Sequence, residues 1–369
     1  MLRSTSSAAT CHGRRLHQLA LARMVGGALT MTPDSLHRRL STAPKSRTEL
    51  IKALRAQTSA PMKKCVEALD QSGGDVEAAV TLLRKAGLAA AAKKAGRGAT
   101  DGAVALHHSA DGAVEAAAIV EINSETDFVA RNEIFQALAS DVARSALGID
   151  RPAAAAGAAA LDVAALGAAQ LAASGAEAPQ GSITEALGVA VSQLGENLVL
   201  RRACVLEVPA GAGVVAGYVH NAYAAGVGKT VAAVALRSEA ASSADGAAAL
   251  RTLGQKLAMH VVAAQPQFVD ASSVDAAALE RERSILAEQA AASGKPPEVV
   301  AKMVEGRLKK YYGEVCLLEQ PYVVDEAAGS VAKVLAAAGK ELGATVELGG
   351  FVRFQVGEAS PAAEEEQGQ

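Results

Sequence analysis

No tryptophan occurs in the 369 residues, and aromatic side chains make up only 3% of them. Half of the chain is hydrophobic by count, and alanine supplies much of that half. An interior so poor in rings has to be filled by small side chains. The four cysteines, Cys11, Cys65, Cys204 and Cys316, are scattered and form no Cys-x-x-Cys pair. Their spacing argues against a disulfide framework or a zinc cluster and fits a reducing compartment. No apolar run reaches the roughly 18 uncharged residues of a membrane span, so no membrane partner is expected. Catalytic signatures are missing as well: there is no Ser-His-Asp set, Cys-His pair or His-Glu-x-x-His helix in view, and no metal or cofactor motif. The length suits two or three domains.

Acid is nearly missing from residues 1–40, where Arg3, Arg14, Arg15, Arg23, Arg38 and Arg39 stand against Asp34 alone, among many serines, threonines and leucines. That is the composition of an organellar transit peptide; a basic disordered tail is the alternative. The order Arg38-Arg39-Leu40-Ser41 is similar to a mitochondrial processing site with cleavage after Leu40, so the mitochondrial matrix is the expected destination and the plastid the alternative. Without this segment the chain carries 30 Lys+Arg against 38 Asp+Glu. An acidic mature protein is not expected to bind nucleic acid broadly.

The informative stretch is Val120–Asn132, V-E-I-N-S-E-T-D-F-V-A-R-N. Before it, Val114, Ala116, Ala118, Val120 and Ile122 alternate with Glu115, Glu121 and Asn123, which predicts a strand with one buried face. After it, Ile134, Phe135, Leu138, Val142 and Ala146 keep a helical period, with Asn132 at the N-cap and Glu133 in the first turn. The loop Ser124–Arg131 between them holds Phe128, one of five phenylalanines, behind Glu125 and Asp127. From its chemistry the ring is either a probe for a partner or an anchor folded back into the core.

At these residues the chain resembles the elongation factor Ts family, the guanine-nucleotide exchange factors of elongation factor Tu. The family's Thr-Asp-Phe-Val-Ala pattern stands here as Thr126-Asp127-Phe128-Val129-Ala130. The resemblance implies that Thr126, Asp127, Phe128 and Val129 form the partner-binding site. It also implies that Asp127 and Phe128 enter the partner's G domain near its magnesium site. The partner would be bound in its GDP-loaded and nucleotide-free forms, with no covalent catalysis, no cofactor and no metal of the chain's own.

The rest of the chain divides accordingly. Residues 46–87 read as three short helices, the size of a ubiquitin-associated domain. Leu50, Ile51, Leu54, Met62, Val66, Leu69, Val76, Ala79, Val80, Leu82 and Leu83 are expected inward, with Asp75 as a cap and Gly87 as the stop. The family's motifs recur there as Leu54-Arg55, Thr58, Met62, Gly73-Gly74-Asp75 and Leu83–Gly87, while Ser59 replaces its usual glycine. Residues 88–102 read as a linker whose Lys93, Lys94 and Arg97 would face an acidic partner surface. Residues 103–273 form an α+β core in which strand, loop and helix occur twice. The second copy, Val231–Leu236 followed by a helix over Ala247–Ala263, lacks the Asp-Phe pair. The alanine-rich insertion 151–180 is expected to be a weakly packed helical excursion without chemistry.

Gly228-Lys229-Thr230 fails as a phosphate loop, because Tyr223 stands at the first glycine and a strand is expected where a helix must follow. His260 has no cysteine or second histidine at ligand spacing and reads as a buried structural residue rather than a metal ligand. With Pro266-Gln267-Phe268 it matches the family pattern. Residues 274–321 read as a helical hairpin, with Leu279, Ile285, Leu286 and Ala290 facing Val299, Val300, Met303, Val304, Leu308 and Tyr311. Its string Lys302–Lys310, continued by Glu314–Pro321, is the longest family match. Residues 322–358 return to the core through a helix and a strand carrying Phe351-Val352-Arg353-Phe354, and 359–369 form an acidic, disordered tail. The fold class is α+β, with a three-helix module, a duplicated core, a hairpin and a C-terminal segment. A ubiquitin-associated adaptor without exchange activity is the rival reading, but it accounts for residues 46–87 alone. A metabolic enzyme would need paired titratable groups that are not found.

Protein isolated from the organelle is expected to begin near Ser41, and a chain starting there to fold unaided. N-terminal sequencing that finds Met1 retained would remove the targeting reading.

Overall fold

The computed structural model describes residues 46–58, 60–110, 114–150, 158–172, 181–291 and 297–358. The expected transit segment, Ser59 and the acidic tail lie outside them. In chain order the helices are α1 (Arg47–Thr58), α2 (Met62–Gln71), α3 (Val76–Lys94), the single turn α4 (Asp127–Ala130), α5 (Glu133–Ala146), α6 (Val163–Ala168), α7 (Ile183–Leu194), α8 (Ala244–Ala264), α9 (Ala276–Ala291), α10 (Pro297–Val315) and α11 (Val331–Leu342). The strands are β1 (Asp101–Ala110), β2 (Val114–Ser124), β3 (Ala158–Ala160), β4 (Leu198–Pro209), β5 (Gly213–Ala224), β6 (Val227–Arg237) and β7 (Glu347–Gln355). The class is α+β.

Helices α1–α3 close a small core of their own around Leu54, Cys65, Ala68, Leu69, Ala79 and Leu83. Asp75 caps α3 by accepting from the N–H groups of Glu77 and Ala78. Met62, expected inward, is 54% exposed, because Cys65, Ala68 and Leu69 occupy the inner stripe of α2. Gly87 does not end α3, which runs on to Lys94. Its lack of a side chain serves a different purpose: a Cβ there would stand 3.1 Å from the backbone of Gly188. At this glycine pair α3 lies directly against α7.

The first part of the expected linker, up to Lys94, is therefore helix, and two of its cations, Lys94 and Arg97, are engaged within the chain. Lys94 Nζ donates to the Val191 carbonyl at 3.4 Å. Arg97 pairs with Glu125 at 3.4 Å, and Asn197 donates to the Arg97 carbonyl at 2.9 Å.

All strand pairings are antiparallel, in the order β3-β4-β2-β1-β6-β5, with β7 also on β6. Strand β1 meets β6 only through Val104↔Gly228 and Ala105↔Val227. That narrow joint lets the sheet fold into two leaves. The outer face of β1–β4 packs on α5, α6 and α7 through Val120, Ile122, Phe135, Val142, Leu166 and Ile183. The outer face of β5–β7 packs on α8 and α11 through Val234, Leu236, Leu250, Leu257, Val261 and Leu335. The inner faces pack on each other, with Val104, Ala117, Ile119 and Leu206 meeting Val215, Val231, Ala233 and Val352.

This closure corrects the expectation that β2 buries one face. From Ala116 to Ser124 every residue of β2 is buried. Ala117 and Ile119 are apolar on the second face, and the acids of that face are paired. Glu121, with no exposure, meets Arg202 at 2.6 Å. Glu115 pairs with Arg251 of α8 and accepts from the Val215 N–H at 3.3 Å.

The alanine-rich insertion also differs from expectation. Its described part contains β3, which pairs with β4 from Ala158↔Leu206 to Ala160↔Cys204. Asp162 then caps α6, and Leu161 and Leu166 are buried in the main core. Two leucines at the right places outweigh a sequence otherwise short of specifying side chains.

In the hairpin, α9 and α10 follow one another and are in contact, but Ile285 and Val299, expected inward, are 49% and 41% exposed. Helix α10 ends at Val315, because Leu317 and Leu318 N–H groups turn to the carbonyls of Phe268 and Val269 at 2.9 and 3.0 Å. Helix α11 and β7 then return the chain to β6, pairing Thr230↔Gln355 through Arg237↔Glu347. No described helix is long and apolar enough to cross a membrane.

Leu166→Ala is expected to lower stability by about 2–5 kcal/mol, the usual cost of emptying a leucine site in a packed core. Chemical denaturation measures it; a loss under about 0.5 kcal/mol, the scale of a neutral surface change, would restore the picture of a loose excursion.

Candidate functional site: an exposed phenylalanine on a fastened turn

Strand β2 ends at Ser124, and the residues after it coil into α4 before Asn132 restarts the chain as α5. Asn132 Oδ1 accepts from the Ile134 N–H at 2.9 Å, the expected cap. The turn closes through the Arg131 N–H, donating to the carbonyls of Asp127 and Phe128, and the Asn132 N–H, donating to that of Val129.

The four expected site residues separate by direction. Val129 is buried in the core under α5, together with Ala130. Thr126 faces a neighbouring loop. Asp127 is partly exposed and paired with Arg131 at 3.6 Å. Phe128 is 81% exposed. The anchor reading of Phe128 therefore fails, since a ring in that position supports nothing in the core. Ile134, expected inward, is also exposed, at the start of α5.

The neighbouring loop is Gly195–Asn197. Gly195 ends α7 in the left-handed conformation at φ 83°. The next residue, Glu196, accepts from the Thr126 N–H at 3.0 Å and from the Thr126 hydroxyl at 2.7 Å. In return Glu125 Oε1 accepts from the Asn197 N–H at 2.7 Å. Ser124 Oγ donates to the Thr126 carbonyl at 2.8 Å. On the other side the Arg131 guanidinium lies 5.0 Å over the Tyr223 ring. The Tyr223 hydroxyl is buried without a hydrogen-bond partner among the described residues, and burial pushes its pKa up.

Glu196 and Asn197 escaped the reading of the sequence, Arg97 was read as facing a partner rather than Glu125, and Tyr223 only as a residue standing where a glycine would belong. The one local signal was Gly195-Glu196-Asn197, two polar residues between a helix-ending glycine and a strand. Nothing along the chain says that this connection lies beside a loop some seventy residues earlier.

Other candidates resolve into structure. Gly228-Lys229-Thr230 lies inside β6, and Lys229 pairs with Asp101 at 3.9 Å. His260 is fully buried on α8. Its Nδ1 accepts from the Val323 N–H at 3.3 Å, which places the ring proton on Nε2 for donation to Gln320 Oε1 at 2.9 Å. Gln320 in turn donates to the carbonyls of Ala264 and Glu314. The histidine pins the exit of the hairpin to α8, and burial lowers its pKa. Among the described residues no group of three or more His, Cys, Asp or Glu could hold a metal ion.

A family model described as elongation factor TS matches residues 125–358. The elongation factor Ts of Rhodospirillum rubrum is 48% identical over 309 residues, 84% of this chain and 92% of that protein. That of Paramagnetospirillum magneticum is 49% identical, covering 84% and 90%. That of Sphingopyxis alaskensis is 47% identical over 311 residues, covering 84% and 92%.

Stability is expected to fall as pH drops below about 6.5, the ordinary histidine value. His260 is held neutral in the fold while the unfolded chain takes up the proton, so the contribution is complete above the unfolded pKa and is lost below it. His107, whose pKa burial also lowers, acts with the same sign. His260 contributes at most about 1.4 kcal/mol per pH unit. Melts of wild type and His260→Asn between pH 5 and 8 check this: the variant, though less stable, should show the shallower slope.

Proposed function

The chain belongs to the elongation factor Ts family, and from that membership we infer that it is a guanine-nucleotide exchange factor. It promotes release of GDP from elongation factor Tu during translation elongation. It performs no covalent chemistry of its own. The partner is engaged both with GDP and without nucleotide, and exchange is a matter of linkage. Binding energy spent on the nucleotide-poor partner weakens nucleotide binding, and nucleotide weakens the factor's hold to the same degree.

The observation that carries the assignment of the site is the exposure of Phe128 on a turn whose next two side chains, Val129 and Ala130, are buried. An exposed ring on a supported turn suits insertion into a partner pocket. Asp127, beside it, supplies a negative charge that competes for the partner's magnesium surroundings. Disturbing that metal leaves phosphate charge uncompensated, which favours loss of GDP. Thr126 and Val129 belong to the same site as its supports.

The finer architecture follows the same reading. Helices α1–α3 form a ubiquitin-associated-like module, and the two leaves are copies of one strand–loop–helix plan in which only the first carries the probe. The family match extends through the core that an adaptor reading leaves idle. The mitochondrial matrix is the proposed compartment, on the strength of the arginine-rich, acid-poor segment 1–40; broad binding to nucleic acid is not part of the function.

Phe128→Ala should slow stimulated GDP release at least about tenfold, a change that needs only about 1.4 kcal/mol of lost transition-state stabilisation. Its melting temperature should stay near that of wild type, because the ring packs against no core. Asp127→Ala should have a smaller effect, largest when magnesium is abundant. Timed release of labelled GDP from elongation factor Tu decides the matter; normal exchange by Phe128→Ala would refute the probe.

A further inference from the structure

A turn of four residues has no stability of its own, so whatever fixes the direction of Phe128 comes from outside α4. Val129 and Ala130 hold the turn down on the core, but apolar burial is not directional. The directional contacts lie at the start of the turn. There the Glu196 carboxylate takes both polar hydrogens of Thr126, backbone at 3.0 Å and hydroxyl at 2.7 Å. Thr126 occupies the N-cap position, yet its side chain makes no capping bond to the turn; the hydroxyl is committed to Glu196 instead. Two bonds from one carboxylate to one residue restrict rotation as well as distance. The reciprocal bond from the Asn197 N–H to Glu125 keeps the two loops in register.

We propose that Glu196 is a positioning residue for nucleotide exchange: its two-point hold on Thr126 sets the direction in which Phe128 leaves the turn. The inference rests on the reading of Phe128 as the residue that contacts the partner. Glu196 touches neither partner nor nucleotide in this scheme. It acts by reducing the ordering that Phe128 must undergo on binding. Glutamine can keep the geometry, because its carbonyl accepts from the Thr126 N–H and its amide donates to the hydroxyl oxygen. Alanine keeps neither bond.

The test measures stimulated GDP release from GDP-loaded elongation factor Tu at saturating and sub-saturating factor, with the melting temperature of each sample. The proteins are wild type, Glu196→Ala, Glu196→Gln, Phe128→Ala and the Glu196→Ala/Phe128→Ala double variant. Glu196→Ala is expected to lower the saturating rate at least about threefold, and Glu196→Gln to stay within about twofold of wild type. In the Phe128→Ala background, Glu196→Ala should lower the rate no further, since an absent ring cannot be misdirected. Should Glu196→Ala melt early, Thr126→Val, which loses only the hydroxyl bond, carries the same comparison with a smaller loss. Unchanged exchange by Glu196→Ala, or an equal loss with and without Phe128, overturns the proposal and leaves the contact reading standing. Normal exchange by Phe128→Ala alone overturns the contact reading and this proposal with it.

Discussion

Between the two leaves of the sheet lies a carboxylate with no exposure at all, that of Glu121. A charge in that position is tolerable only if it is paired and its remaining lone pairs are used. Arg202 supplies the pair at 2.6 Å, while the Gly357 N–H at 2.9 Å and Asn123 Nδ2 at 3.1 Å occupy the other oxygen. The Arg202 guanidinium lies 4.1 Å over the Phe354 ring and donates to the Gln355 carbonyl at 3.1 Å. Strands β2 and β4 of one leaf are thereby tied to β7 of the other. Sliding the leaves would strand a buried charge, a penalty that apolar contacts alone would not impose. The last strand of the chain thus closes the fold that the first two begin.

Closure also depends on small side chains. Ala117 on one inner face and Ala233 and Ala235 on the other let two sheets pack where larger residues would hold them apart. The same economy of volume appears at Gly87 and Gly188, where α3 and α7 meet backbone to backbone. The three-helix module, the helix that supports the leaf and the loop after that helix are consequently one continuous piece of packing. That loop carries Glu196 and Asn197, so the turn bearing Phe128 is referenced to the rigid part of the molecule rather than to solvent.

Exposure of Phe128 in the free protein forgoes about 1.5–3 kcal/mol that burial of such a ring would contribute. In an interior with so few aromatic residues, this is a sizeable stabilisation to leave unused. It becomes available when a partner covers the ring, and the fastened turn limits the entropy lost on doing so. Exposed function and buried support are divided between adjacent residues: Phe128 points out, Thr126 and Val129 point in, and Asp127 stands between, balanced by Arg131 at the surface.

Helix and strand periods and the Asn132 and Asp75 caps were legible along the chain, because each depends on residues within a few positions of one another. The loop bearing Phe128 was legible for the same reason: a large ring beside two acids between a strand pattern and a helix pattern is a local anomaly. Burial was not. Alternation in β2 predicts one wet face, and only the pairing of Glu121 and Glu115 with Arg202 and Arg251, residues 81 and 136 positions away, makes both faces dry. The alanine-rich insertion looked featureless because its specification is carried by Leu161 and Leu166, and a leucine's value depends on what faces it. Gly87 read as a stop and serves as a contact, since a glycine's local signal is the same for either use. The residues of the candidate turn were set by sequence; which of them faces outward, and what fastens it, was decided by contacts between segments that only the closed sheet brings together.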